Sequence, residues 1–314
     1  MGAIRARPLR PVIEGLNWAC FTCLYQAITR TSKVRLFALP HNLSHTLAPS
    51  TDICAPRKSW QIQRTVVFAL FLREIKTRFG GRWMGIFWVL LEPLAHVLLM
   101  MAMFGVMHRA AAPGIEYPVF LVTGLLPFFA FKGLALRLMD AVDSNRGLFG
   151  YRQVKPMDAL LSRALLETAL NAVVYLIALA LLGWIGFQFL PARPLELMAT
   201  GFLLLVLGAA LGTAFAVATN ELPQTRSFIR IAAFPLYMLS GVIFPVHAIP
   251  ADYHVYLLWN PVLHLIELSR ASFFSQYVLV QGINIEYPLA WCLLATMGAL
   301  SLYRVRRLSL IAIR

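Results

Sequence analysis

Charge is scarce in this sequence of 314 residues. Asp, Glu, Lys and Arg together make up only 13% of it, whereas hydrophobic residues make up 59%, and the mean hydropathy is +0.70. Soluble domains carry about 25% charged residues. The scarcity of charge therefore excludes an ordinary soluble fold and indicates an all-α membrane protein that crosses the bilayer several times.

Residue patterns that bind metals or nucleotides are missing too. The four cysteines include one CxxC, formed by Cys20 and Cys23, with no second pair to complete a zinc site. A P-loop needs Gly-x4-Gly-Lys-[Ser/Thr], and neither Lys58 nor Lys76, each followed by Ser or Thr, has a glycine before it. We expect no catalytic residue, metal or cofactor in this chain. ATP and Mg would be bound by a separate ATPase if ATP drives its activity.

Six apolar segments are long enough to cross the membrane, which takes about 20 residues. They are Trp83–Met107, Tyr117–Leu136, Ala164–Phe187, Leu195–Thr219, Phe228–Phe244 and Tyr287–Tyr303, the last extended toward Ile283.

Basic residues predict the orientation of these spans. From Arg64 onward, sixteen Lys and Arg residues lie before the first span, between the second and third, between the fourth and fifth, and after the sixth. The opposite loops contain three, Arg109, Arg193 and Arg270. Because cytoplasmic loops are enriched in Lys and Arg, both termini are predicted to be cytoplasmic. The same rule accounts for the net charge of +14, so we expect no nucleic-acid partner.

The chain before the first span falls into two parts. Residues 1–57 are polar and without periodicity, which predicts a poorly ordered extension. Residues 58–82 carry apolar side chains at helical spacing opposite a basic face, which predicts a helix lying in the membrane interface; a cytosolic helix is the alternative. These apolar residues are Phe68, Leu72, Ile75 and Phe79. The transmembrane domain is assigned to residues 83–304 and a cytoplasmic tail to residues 305–314.

The longest inner loop, residues 143–167, contains a candidate docking surface. Ser144 or Asn145 can cap a short helix carrying Leu148 and Phe149, and Pro156 suits the first position of the next helix. Exposed Leu, Phe and Tyr side chains on the cytoplasmic face would need a partner to cover them. A docking helix is favoured over the alternative of a solvated loop.

Ionisable side chains within the spans are few. Glu92, Lys132 and Glu167 are candidates for contact with a substrate or partner, because charge in the bilayer is costly. Each also has a structural interpretation. Glu92 could lie at the interface near Arg82, Lys132 could extend toward the interface, and Glu167 could pair with Arg163 one turn earlier.

The segment between the fifth and sixth spans is apolar but interrupted by prolines. It reads SGVIFPVHAIPADYHVYLLWNPVLHLIELSR, residues 240–270. Irregular backbone at membrane depth must be covered by protein or water. We therefore predict a turn at Phe244–Pro250 and short helices that re-enter the outer leaflet. A loop lying flat on the outer surface is the alternative.

Four stretches carry a more specific resemblance. They are FLREIKTRFG…GIFWVLLEPLAH (71–96), MHR…YPVFLVTGLLPFF (107–129), GLFGYRQVKPMDALLSRALLET (147–168) and FPVHAIPADYHVYLLWNPVLHLIELSR (244–270). The chain from about residue 70 to 305 resembles the permease of capsular-polysaccharide ABC exporters, within the ABC-2 membrane-domain family. Residues 1–57 fall outside this resemblance.

The resemblance implies partners and an architecture. Two permease copies would form a homodimer with two ATP-binding-cassette ATPases in the bacterial inner membrane. Each copy would have an interface helix, six spans and short periplasmic gate helices between the fifth and sixth. The substrate would be a lipid-linked, often acidic, capsular polysaccharide, and periplasmic and outer-membrane export proteins would be further partners.

The resemblance also implies roles for particular residues. It assigns ATPase coupling to residues 143–158, with Asn145, Leu148, Phe149, Tyr151, Arg152, Lys155 and Asp158. It assigns the periplasmic gate to residues 245–273 and adjoining Phe244, with Pro245, Pro250, Tyr253, Tyr256, Trp259 and Pro261. It assigns channel lining mainly to the first and fifth spans, with the candidates Trp88, Phe228, Phe234 and Tyr237.

Three other functions remain open. An exporter of O-antigen or teichoic acid would have the same architecture. A membrane enzyme acting on lipid-linked sugars would need a clustered acid–base pair or a metal site, which the sequence does not offer. A small-molecule drug exporter is disfavoured by the match in the gate region.

Overall fold

The computed structural model describes residues 59–79, 83–104, 110–112, 115–151 and 153–311, so the predicted extension and Arg152 lie outside the described residues. Most of these residues are helical. In chain order the helices are α1 (Ser59–Phe79), α2 (Trp83–Phe104), α3 (Tyr117–Met139), α4 (Ala141–Asn145), α5 (Pro156–Ile185), α6 (Pro194–Glu221), α7 (Thr225–Leu239), α8 (His254–Leu257), α9 (Pro261–Phe273) and α10 (Glu286–Ile311).

Short elements connect these helices. Strands β1 (Ala110–Ala112) and β2 (Ile115–Glu116) form a small antiparallel pair before α3, which the all-α prediction did not include. Single turns of 3₁₀ helix cover Arg146–Leu148, Val246–Ala248 and Ala251–Tyr253.

Within the described ranges, four helices are long and apolar enough to span a membrane: α3, α5, α6 and α10. At a rise of 1.5 Å per residue, they extend about 35–45 Å, more than the ~30 Å of hydrocarbon. A shorter apolar run, Phe87–Met103, lies in α2. Helix α7 has 15 residues and ends at Leu239, five residues before the predicted end of the fifth span. The prediction of a helical, multi-pass membrane protein is confirmed.

Proline determines where several helices begin. Pro156 and Pro194 occupy the first turns of α5 and α6, where a missing N–H costs nothing and the fixed φ suits the helix. Helix α5 therefore begins eight residues before the predicted third span. It ends at Ile185, and Gly186 follows with a left-handed φ of 101°. Helix α10 continues to Ile311, into the segment assigned to a tail.

Helix α3 is the centre of the bundle, and glycines let α6 approach it closely. A Cβ atom on Gly208 would lie 3.0 Å from the carbonyl oxygen of Phe131, and one on Gly212 would lie 2.9 Å from that of Ala135. Small residues permit this approach in membrane bundles, where van der Waals packing rather than hydrophobicity drives association. Among the described residues, two apolar clusters lie toward the two ends of α3, and a third, smaller one is formed by Val246, Leu257 and Leu263.

Helix α1 was predicted to be an amphipathic interface helix, and in the structure some of its polar side chains face the protein. Phe68 and Leu72 are 56% and 44% exposed, whereas Glu74 is only 7% exposed and faces α5. Arg64 and Lys76 are exposed as well and Leu70 is buried, so the location of α1 in the membrane interface stays a prediction.

Candidate functional site

The connection between α3 and α5 contains the predicted coupling segment, and two aspartates join it to α7. Asp143 accepts a hydrogen bond from Arg226, and Asp140 accepts one from Arg230 at 3.0 Å. Both arginines lie in the first two turns of α7. A displacement of the connection would therefore be transmitted to α7.

Further polar contacts join the same connection to α1, α5 and α6. The amide of Asn145 donates to Glu74 of α1 at 2.9 Å, and Arg163 of α5 donates to the same carboxylate at 2.9 Å. Arg146 donates to the side-chain oxygen of Asn220 at 2.7 Å. Because Glu74 is buried and serves both partners, it fixes α1, the connection and α5 relative to one another.

One edge of the connection is exposed. Gly147, Gly150 and Tyr151 are exposed, Tyr151 by 61%, and Leu148 is half-buried. Phe149 is only 6% exposed and belongs to the apolar cluster at this end of α3. Phe149 was expected to be exposed and to contact a partner. The expected exposure is wrong, because the ring packs in the core.

Asp158 and Lys155 stabilise the start of α5. The carboxylate of Asp158 accepts a hydrogen bond from the backbone N–H of Lys155 at 3.0 Å, which satisfies a donor at the helix N-terminus. Gln63 of α1 donates to the same carboxylate at 3.4 Å. Asp158 is buried, whereas Lys155 is exposed beside Tyr151. The assignment of these residues to ATPase coupling stays a prediction.

Glu167 joins three helices, and the prediction that it pairs with Arg163 was wrong. It pairs with Arg78 of α1 and, at 3.3 Å, with Arg137 of α3. Arg163, the predicted partner, pairs with Glu74 instead. Burial, together with the charges of Arg137 and Arg163, lowers the pKa of Arg78 to about 10.

A cavity of about 620 Å³ opens beside this ion pair, between α1, α2, α3, α5 and α7. It is lined by four cationic side chains, Arg78, Lys132, Arg137 and Arg230. Two carboxylates, Glu92 and Glu167, share the lining. Its ring side chains are His96, Phe129, Phe234 and Tyr237. The cavity thus combines excess positive charge with flat apolar surfaces.

Two of the four channel candidates lie on this cavity. Tyr237 is buried, with its ring centroid 5.2 Å from that of Phe128, and Phe234 lines the wall nearby. Trp88 and Phe228 are 61% and 77% exposed and do not line it. The sequence could not distinguish these pairs, because the direction in which a helix face points depends on its neighbours.

The prolines of the outer segment each stand at the start of an element. Pro245 and Pro250 precede the 3₁₀ turns Val246–Ala248 and Ala251–Tyr253, and Pro261 begins α9. Four aromatic side chains assigned to the gate are exposed: Phe244, Tyr253, Tyr256 and Trp259. The predicted succession of a turn and short helices is therefore present, and its role as a gate stays a prediction.

Helix α9, by contrast, is packed inside the bundle against α3, α6 and α10. Its Glu267 and Arg270 form an ion pair at 2.9 Å in which neither side chain is exposed. Arg270 also donates to the carbonyl oxygens of Gly241 and Val242 at 2.7 and 2.8 Å. Tyr277 donates to Glu267 at 2.7 Å. A segment held in this way does not fit a loop lying flat on the surface.

The same guanidinium also contacts α3. Its central carbon lies 3.7 Å from the ring centroid of Phe120, a cation–π contact. A Cβ atom on Gly124 would collide with it. Burial and the neighbouring Glu267 carboxylate raise the pKa of Tyr277. Arg270 was counted with the outward basic residues, and only the fold shows that it is internal.

Several residues of these sites were missed from the sequence. Glu74 lies on a helix interpreted as amphipathic. Its position among basic residues was the one feature of the sequence that could have pointed to its ion pairs. No sequence pattern predicted the contacts of Asp140, Arg226 and Arg230. These residues come together only because the fold places the start of α7 next to the start of α4. Within the described part of the chain, no group of three or more His, Cys, Asp or Glu side chains could hold a metal ion.

The fold and these sites define a multi-pass helical membrane protein whose polar contacts join a peripheral connection to its spans. Residues 65–274 match the family model of the ABC-2 type transporter. The chain belongs to the ABC-2 type transporter family.

Curated relatives show which branch of the family is similar. The chain is 41% identical to the polysialic acid transport protein KpsM of Escherichia coli over 251 residues, which are 80% of this chain and 96% of the relative. It is 32% identical to the capsule polysaccharide export inner-membrane protein CtrC of Neisseria meningitidis over 70% of this chain and 83% of the relative. It is 27% identical to the capsule polysaccharide export inner-membrane protein BexB of Haemophilus influenzae over 71% of this chain and 84% of the relative.

Proposed function

We propose that this chain is the membrane subunit of an ATP-driven exporter that carries a lipid-linked capsular polysaccharide across the bacterial inner membrane. The observation that carries this proposal is the 41% identity with a polysialic acid transport protein over 96% of that protein's length. The relatives named for capsule export have similarity over most of this chain. The transport function is thereby favoured over an enzyme acting on lipid-linked sugars.

The working assembly would be a homodimer with two ATPase subunits, which bind ATP and Mg. Each copy would span the membrane six times, with α2 and α7 as the first and fifth spans and both termini in the cytoplasm. The exposed residues Gly147, Gly150, Tyr151 and Lys155 would contact the ATPase, and residues 245–273 would form the periplasmic gate. The ion pairs from Asp140 and Asp143 to α7 support a mechanical route between the two regions.

Deletion of the gene tests the export function. Polymer that accumulates inside the cell, and reaches the surface again when the gene is restored, is the expected result. A deletion strain with normal surface polymer would overturn the proposal. Chemical analysis of the retained polymer distinguishes capsule from O-antigen or teichoic acid.

The docking edge is tested separately by Tyr151→Asp. Tyr151 is 61% exposed, so an added charge there leaves the core intact while placing a carboxylate in the proposed contact. We expect the ATPase no longer to co-purify with the permease. Tyr256→Asp is the matched control, because Tyr256 is 76% exposed in the outer segment, and it should retain the ATPase. Equal recovery with both variants would remove this edge from the contact.

A further inference from the structure

The last two turns of α10 carry arginines whose charge is not neutralised within the described part of the chain. Arg304, Arg306 and Arg307 are exposed, and none of their side chains forms an ion pair or a hydrogen bond with a described residue. Glu221, at the facing end of α6, accepts a hydrogen bond from Ser309 at 2.7 Å instead. Unpaired positive charge on an exposed helix end attracts an anion.

Exposed apolar side chains alternate with these arginines. Val305 and Leu308 are 77% and 73% exposed. Because side chains three or four positions apart lie on the same side of a helix, Leu308 lies beside Arg304. A purely ionic partner would leave Val305 and Leu308 uncovered. A partner that covers the whole surface must offer negative charge and apolar area together, which is the chemistry of an anionic lipid.

The distance along α10 places this surface at the edge of the bilayer. Tyr287 lies in the first turn of the helix, and tyrosine is enriched where spans enter the membrane. At 1.5 Å per residue, Arg304 and Arg307 lie about 26 and 30 Å further along the axis, and the hydrocarbon is ~30 Å thick. Between them, Leu293 and Met297 are 59% and 70% exposed, as on a face that contacts lipid. The arginines therefore lie level with the head groups of one leaflet.

The end of α10 is also joined to α5. The backbone N–H of Met157 donates a hydrogen bond to the hydroxyl of Tyr303 at 3.2 Å. Met157 is the second residue of α5, directly after the connection that contains the predicted coupling segment. A lipid that holds the end of α10 at the membrane surface therefore also holds the start of α5.

We propose that Arg304, Arg306 and Arg307, together with Val305 and Leu308, bind an anionic phospholipid of the surrounding membrane. The guanidinium groups donate charge-assisted hydrogen bonds to the anionic head group, and the two apolar side chains contact the adjoining part of the acyl chains. The assignment to the cytoplasmic leaflet rests on the predicted orientation of the chain. The preference for anionic lipid does not, and neither depends on the identity of the exported molecule.

The lipid composition next to α10 tests the proposal in the full-length chain. In a variant without native cysteines, Ser301→Cys carries a fluorophore; Ser301 is exposed and lies one turn before Arg304. The protein is placed in phosphatidylcholine membranes that contain phosphatidylglycerol or phosphatidylcholine with a nitroxide quencher on the acyl chain. We expect phosphatidylglycerol to bind at least about tenfold more strongly than phosphatidylcholine at this position. Equal quenching by the two lipids would overturn the proposal.

A second reporter on the same helix shows whether the preference is local. Leu293→Cys carries the same fluorophore at a position that is 59% exposed near the start of α10. We expect no preference for phosphatidylglycerol there. The same preference at both positions would mean that the charge of the whole protein attracts the lipid, and the surface at the end of α10 would lose its assignment.

Variants then identify the residues that bind the lipid. Arg304→Gln and Arg307→Gln should each reduce the preference at Ser301 about fivefold, because a basic residue near an anionic membrane surface contributes about this factor. Both side chains are exposed, so the melting temperature should not change. Arg193→Gln is the matched control, because it removes a 55% exposed arginine at the start of α6, the end opposite Glu221. An equal loss with Arg193→Gln would contradict a local site.

The triple variant Arg304→Gln/Arg306→Gln/Arg307→Gln distinguishes a lipid from a protein partner. We expect the triple variant to lose the preference for phosphatidylglycerol and to co-purify with the ATPase as the wild type does, in contrast to Tyr151→Asp. Loss of the ATPase with an unchanged lipid preference would assign this surface to the ATPase and overturn the proposal.

Discussion

Glu267 and Arg270, three residues apart on α9, form an ion pair at 2.9 Å that is completely inaccessible to solvent. Arg270 also donates to the carbonyl groups of Gly241 and Val242, which follow α7, while its Nε has no partner among the described residues. The pair therefore joins the end of α7 to α9, and the cation–π contact with Phe120 adds α3. The buried Glu267–Arg270 pair thus connects α3, α9 and the end of α7.

Arg270→Met should destabilise the protein strongly, by about 3–5 kcal/mol, because it leaves Glu267 buried without a counter-charge. Arg193→Met is a matched control. It breaks another ion pair with i, i+3 spacing, to Glu196, in which both side chains are 55% exposed, and such pairs contribute at most about 1 kcal/mol. Thermal unfolding of the purified protein in detergent measures both. Similar melting temperatures for the two variants would contradict the importance of the buried pair.

Gly212→Ala should lower the melting temperature, because its Cβ atom would lie 2.8 Å from the Cβ atom of Leu138 and force α6 away from α3. Gly201→Ala, on the same helix, meets no atom within 4 Å. It should leave stability unchanged or raise it by up to about 1 kcal/mol through the helix propensity of alanine. A stabilising Gly212→Ala would show that the helices are not in close contact there.

Glu74→Gln should reduce both stability and export. It removes the charge that Arg163 and Asn145 share, and a broken buried pair costs about 3–5 kcal/mol. Because Glu74 aligns α1 with the connection before α5, polymer export should fall further than the amount of protein in the membrane does. Glu116→Gln, at an exposed position, is the control. Export that simply follows protein abundance would limit Glu74 to a structural role.

Tyr277 should give the protein a pH dependence in the alkaline range. Burial and the Glu267 carboxylate raise its pKa in the folded state, above the ordinary value of about 10. The folded state therefore holds this proton more tightly than the unfolded state, and the stabilisation is complete below pH about 10 and lost as the pH rises beyond it. Unfolding measured from pH 8 to 11.5 should show a smaller alkaline decline in Tyr277→Phe. Equal declines would contradict this.

Cysteine labelling should distinguish the two parts of the outer segment. Val255 is 63% exposed on α8, whereas Leu263 on α9 is fully buried. In a variant without native cysteines, Val255→Cys should react with a membrane-impermeant maleimide added to the periplasmic side, and Leu263→Cys should react only after denaturation. Rapid labelling at both positions would show that α9 leaves the bundle. Labelling of Val255→Cys only from the cytoplasm would reverse the predicted orientation.

The class of the protein and many of its helix boundaries can be predicted from the amino-acid sequence alone. Hydrophobic runs predict spans because the bilayer requires length and apolarity, both of which are local properties. Pro156 and Pro261 begin helices because the fixed φ of proline acts within its own residue. The succession of short elements after α7 followed from the positions of Pro245 and Pro250 in the same way.

Which residues contact one another depends on the three-dimensional packing of the helices. Glu167 had a plausible partner one turn away in Arg163, yet the fold brings Arg78 and Arg137 to it from other helices. Phe149 appeared suited to a surface contact and is buried, because the bundle has room for its ring. Arg270 resembled a loop charge and became the centre of a buried network. Helical periodicity predicts which side chains lie on the same side of a helix. Which residues that side contacts depends on how helices distant in the sequence pack against it.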